Sequence, residues 1–91
     1  MTDRTRAALL GFDAHSFAER HGGYKESHSK YAREWLLTCK HCGSERLRWH
    51  HNPGVKMAWI CWGCERTGNT YQLISDLEDC SYMEAVTYVM N

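Results

Sequence analysis

Two Cys-x-x-Cys pairs constrain this chain more than anything else in it. Cys39-Lys40-His41-Cys42 and Cys61-Trp62-Gly63-Cys64 are separated by eighteen residues. Short pairs at that separation place four sulfurs at the base of a hairpin, the layout of a four-thiolate zinc ribbon. The predicted metal ligands are Cys39, Cys42, Cys61 and Cys64, and the predicted cofactor is Zn2+. The expected fold is α+β: a zinc ribbon with a small antiparallel β-sheet flanked by short helices. A chain of 91 residues buries little core, so a metal staple fits its size.

The competing uses of these cysteines are two disulfides and a thiol-redox centre. The chain starts Met-Thr-Asp-Arg and has no apolar run suited to a signal peptide or a membrane span. A cytoplasmic setting is therefore expected, where thiols stay reduced and paired cysteines read as metal ligands. Four thiolates close the coordination shell, so the metal is expected to be structural and not to activate water. Cys80, away from both pairs, is expected to be a small core residue. His41 lies inside the first pair and is expected to face solvent, because Cys42 takes the fourth ligand position.

The pattern around the pairs predicts the elements. Residues 1–11 are expected to be a loose start, ahead of a metal-binding domain over 12–91. Asp13 caps a short helix that ends at His21-Gly22-Gly23. Residues 34–38 are an apolar run that predicts a strand. Residues 46–50 alternate and predict a second strand, and 55–61 return from the Asn52-Pro53-Gly54 turn as a third. Beyond Cys64 the period becomes helical. Tyr71, Ile74 and Leu77 share a side of a helix reaching about Asp79, with Leu73 flanking it. Ser81 and Glu84 form a capping box that opens a last helix with Tyr82, Ala85, Val86 and Val89 on one face.

The formal net charge is zero but unevenly spread. Residues 39–68 carry five basic and two acidic side chains, and residues 69–91 carry four acidic ones and no basic one. Total charge therefore excludes a strongly basic polyanion binder; nucleic-acid contact would be local. Arg46, Arg48 and His50 share one face of the second strand, with Leu47 and Trp49 on the other. Exposed cations and aromatics on a ribbon suit single-stranded nucleic acid, where rings stack on bases and cations hold phosphates. The competing use is packing of Trp49 and Trp59 beneath the helices, with solvated arginines; for Trp49 the core is expected. His50 and His51 are expected at an exposed turn, where protonation would let them touch phosphate.

The stretch from Cys61 to Val86 carries a resemblance. Trp62-Gly63 between the second ligand pair, Gly68-Asn69, the apolar Tyr71-to-Leu77 helix, and Ser81-Tyr82 with Glu84-Ala85-Val86 resemble the zinc-binding domain of bacterial and phage DNA primases, the N-terminal zinc ribbon of Toprim-type primases. The likeness runs over about Phe12 to Met90. It departs at the first pair, where the commonest bacterial pattern is Cys-Pro-x-His, whereas Cys42 and then Gly43-Ser44-Glu45-Arg46 stand here. The resemblance implies a module that binds single-stranded DNA template for RNA primer synthesis. It implies partners too, namely a catalytic primase domain or a replicative helicase in cis or in trans, in a bacterial or phage-infected cell. The implied nucleic-acid-binding residues are Arg46, Arg48, His50, Lys56, Trp59, Trp62, Arg66, Lys30 and Arg33. The acidic last segment would face away from the nucleic acid or meet a partner. Phosphoryl transfer needs clustered metal-binding carboxylates, and the chain supplies none in a recognisable pattern. The alternative is a stand-alone zinc-ribbon adaptor, phage-encoded, that docks on a replication or transcription protein.

Overall fold

The computed structural model describes residues 2–23, 34–51 and 57–90. The described residues form four α-helices and a four-stranded antiparallel sheet: α1 (Asp3–Ala8), α2 (Ala14–Arg20), β1 (Glu34–Leu37), β2 (Leu47–His50), β3 (Trp59–Cys61), β4 (Thr67–Gly68), α3 (Thr70–Glu78) and α4 (Tyr82–Met90). The strands lie side by side in chain order. The α+β architecture expected from the patterning is the one found. None of the described helices is long and apolar enough to cross a membrane.

Alternation divides the sheet into two unlike faces. Trp35 stands opposite Trp49, and Leu37 opposite Leu47. Leu47 in turn faces Cys61, and Trp49 faces Trp59. All six side chains are buried and meet Phe17 and Ala18 of α2, Leu73 and Ile74 of α3 and Ala85 of α4. Burying side chains of this size is the main driving force for a chain this short. Trp49 sits at the centre with no exposed surface. Its ring lies 5.2 Å from Trp35 and 5.8 Å, edge-on, from Phe17. Two indoles also fasten the start of α3: Trp49 Nε1 donates to Thr70 Oγ1 at 3.3 Å, and Trp59 Nε1 donates to the Asn69 carbonyl at 2.9 Å.

The helix caps follow the sequence signals. Asp13 accepts from the Ser16 amide at 3.1 Å. Ser81 and Glu84 exchange two hydrogen bonds of 3.1 Å each, the expected capping box. Asn69 and Gln72 form a second one at the start of α3.

Three expectations are corrected. Residues 3–11 are not loose: they form α1 and a 3-10 turn at Leu9–Gly11. Leu9 is buried against Tyr71 and Val86, and the Tyr71 hydroxyl donates to the Thr5 carbonyl at 2.7 Å, which ties the segment down. His51 is buried, not exposed, with Nε2 3.2 Å from the Leu9 carbonyl. The third strand is shorter than expected, running over Trp59–Cys61, and a two-residue strand β4, unannounced by any periodicity, pairs with it. Val55 and Lys56 of the expected strand lie outside the described residues.

The acidic last segment does not stand apart. Glu78 bonds Arg20 and approaches His21 Nε2 at 3.1 Å. Asp76 lies 3.1 Å from His41, and Asp79 lies 3.8 Å from Lys40. Its carboxylates thus clamp α3 to α2 and to the first cysteine turn. Partial desolvation opposes ionisation of Glu78, but the His21 and Arg20 contacts outweigh it and hold the carboxyl below its ordinary range. That contribution is present above the ordinary carboxylate pKa and is lost as pH falls through the depressed value.

Candidate metal centre

The four cysteines of the two pairs converge. Their Sγ atoms all lie within 4.8 Å of one another. Cys39 and Cys64 sulfurs are 3.7 Å apart, and those of Cys42 and Cys61 are 3.5 Å apart. Sulfurs held tetrahedrally at about 2.3 Å from an ion stand about 3.8 Å from each other, whereas a disulfide needs about 2.05 Å. The cysteines are therefore free thiols set at coordination distances, and together they can hold a metal ion.

The two turns are built alike. In the first, the Cys39 amide donates to the Ser44 carbonyl at 2.7 Å and the Gly43 amide returns to Cys39 at 2.8 Å. In the second, the Cys61 amide donates to Arg66 at 2.9 Å and the Glu65 amide returns to Cys61 at 2.8 Å. The residue after each second cysteine turns left-handed, with φ 73° at Gly43 and 63° at Glu65. Glycine takes that conformation freely, while a side chain pays about 1 kcal/mol. Glu65→Gly is accordingly expected to raise stability by about 0.5–1 kcal/mol, read as an upward shift in the urea midpoint of the metal-loaded protein.

Backbone amides aim at the sulfurs. Desolvation alone would raise the Cys61 thiol, but the Cys64 and Gly63 amides bring it down to about 7. The Ser44 amide favours the Cys42 thiolate, yet lost hydration and the neighbouring thiols outweigh it and push Cys42 up to about 12. Cys64 is likewise raised, against the pull of the Arg66 amide, by desolvation and its sulfur neighbours. Four sulfurs this close cannot all ionise unless a cation compensates them, and that is the electrostatic character of a cation site. Cys80 packs against the core away from this cluster, and desolvation with the carboxylates of Glu84, Glu78 and Asp79 raises its thiol. It has the character of an inert core cysteine.

Among the described residues, no helix covers the other face of the sheet. A groove of about 310 Å³ runs across it, bordered by Glu34, Arg48, His50, Met57, Ile60 and Trp62. Trp62 projects from the second cysteine turn and is 54% exposed. Its amide donates to the Arg46 carbonyl at 3.1 Å, and the Cys61 amide before it donates to Arg66. The second cysteine turn thus presents an exposed indole at the edge of this groove, while Arg66 borders a separate pocket with Gln72, Asp76 and Tyr82.

The expected nucleic-acid residues are unequally placed. Arg46, Trp62 and Arg66 are exposed; Arg48 and His50 are half-buried on the open face. Trp59 is buried, with its indole fastened to Asn69, so it offers no free ring face for stacking. Arg48 donates to Glu34 at 2.8 Å and is not a merely solvated cation. Lys30, Arg33 and Lys56 lie outside the described residues. Sequence reasoning missed Glu34 as a groove residue. Its signal was available: with Trp35 and Leu37 inward, alternation turns Glu34 and Leu36 outward. Among known proteins, no family model matches the chain and no curated protein matches it in sequence.

Proposed function

We propose that this chain is a zinc-binding module that holds single-stranded DNA. Four thiol donors within 4.8 Å of one another select a soft or borderline ion, and zinc is the usual structural occupant. Cys39, Cys42, Cys61 and Cys64 would hold it, and it would supply rigidity to the two turns rather than chemistry. The observation that carries the nucleic-acid reading is Trp62, exposed on the second cysteine turn at the edge of a groove that Arg48 and His50 also line. An exposed ring with flanking cations suits base stacking with phosphate contact. The primase-like sequence from Cys61 to Val86 supports a role in positioning template for a catalytic primase domain or helicase.

Fluorescence anisotropy with a labelled oligonucleotide tests this. Trp62→Ala is expected to cost about 1–3 kcal/mol of binding. Arg46→Ala with Arg66→Ala is expected to flatten the log–log salt dependence by about 1.4, the share of two phosphates on a single strand. Unchanged binding in both variants would refute the assignment of this face. The adaptor reading is favoured by the exposure of Leu10, Met83 and Met90, and it predicts no oligonucleotide binding even at low salt.

A further inference from the structure

Glu34 is buried on the face left open by the helices. It begins β1 opposite His50, and its side chain keeps only 11% of its surface exposed. A carboxylate at that depth is costly unless it is paired. Arg48 Nη1 meets Oε1 at 2.8 Å, while Oε2 has no hydrogen-bond partner among the described residues. The floor of the groove therefore carries a carboxylate beside a guanidinium, held in fixed order by neighbouring strands. A phosphate would meet the carboxylate there and be repelled. A strand bound on this face must keep its phosphates outward and turn bases inward past Trp62.

Resting on the nucleic-acid reading above, we propose that Glu34 and Arg48 read the edge of one base and select cytosine over thymine. Cytosine presents its N4 amino donor beside the N3 acceptor, which matches a carboxylate beside a guanidinium. Thymine in the same pose reverses both positions: O4 faces the carboxylate, and the N3–H faces the arginine donors. Carboxylates are recognised acceptors from the cytosine amino group, and single-stranded bases are read along this edge. Stacking on Trp62 alone would not separate the two pyrimidines, because every base has a π-face.

The test is equilibrium binding of the zinc-loaded protein to ten-nucleotide oligodeoxycytidine and oligothymidine at pH 7.5. The cytidine strand is expected to bind about ten-fold more tightly, one well-formed base contact. Glu34→Gln, whose amide can turn either way, is expected to bring the two within about two-fold of each other. A strand of N4,N4-dimethylcytidine, which lacks the amino hydrogens, is expected to lose the preference with the unaltered protein, so the result does not depend on the variant folding. Equal binding of both strands would overturn the inference and leave the nucleic-acid reading standing. An equal gain for both strands in Glu34→Gln would reduce Glu34 to a repulsive charge and also overturn it. No binding of either strand would overturn the reading itself.

Discussion

Cys61→Ser is expected to remove the cooperative fold. Cys61 is fully buried at the end of β3, where it faces Leu47 across the sheet while its sulfur joins the four-sulfur cluster. The substitution therefore strikes core and metal site together. Structural zinc contributes about 10–16 kcal/mol of apparent binding energy in small domains, as much as the whole stability of an ordinary domain. A core drawn from 91 residues has little to set against that loss. Circular dichroism melts with zinc analysis should show a broad, non-cooperative transition and less than one bound ion per chain. A chelator should do the same to the unaltered protein. Acid should act in the same direction: the bound thiolates carry no protons, whereas released thiols at neutral pH do, so unfolding takes up protons and stability falls as pH drops. A sharp melt that survives complete metal removal would show that the hydrophobic core suffices.

Gly63→Ala should produce the second-largest effect, from a single methyl group. A Cβ at Gly63 would stand 2.5 Å from Ser44 Cβ and 3.1 Å from Cys42 Sγ. The clash is with the root of a side chain and with a ligand, neither of which can swing away. The two cysteine turns would have to separate, opening the sulfur cluster. The expected loss is about 2–3 kcal/mol, within the range for overpacked sites. Ser44→Gly removes the obstructing Cβ and should restore most of that loss in the double variant, although the Cys42 sulfur remains close. A double-mutant cycle on thermal stability reads this directly. Additivity of the two changes would mean that the turns do not press on each other.

Much of the fold could be read from local pattern. The cysteine spacing placed the turns, alternation over Leu47–His50 assigned Trp49 inward and Arg48 outward, and Ser81 with Glu84 marked the start of α4. What escaped was non-local. Tyr71 anchors the first helix through Thr5, sixty-six residues away, and no feature of residues 1–11 announces that partner. His51 follows a strand at a turn, an exposed place by pattern, yet the 3-10 turn at Leu9 covers it. Trp59 and Trp62 are both tryptophans beside the second cysteine pair, but one is core and one is surface. They stand three residues apart: Trp59 lies in β3 and is buried in the core beneath the helices, whereas Trp62 lies past the end of the strand on the cysteine turn and is exposed.

The charges divide along the same line. The sequence by itself determined that four thiols would meet and that cations would gather around them, because short spacings and turn residues act over a few bonds. It could not assign the acidic last segment, whose carboxylates were equally able to face solvent or a partner. Tertiary structure places Asp76 and Asp79 against the first cysteine turn and Glu78 against α2, which pairs them with His41, Lys40 and Arg20. It also sets Glu34 beside Arg48, joining residues fourteen apart across a strand pair. Side-chain pairing depends on distance in space, which the chain acquires only when its helices settle on one face of the sheet and leave the other open.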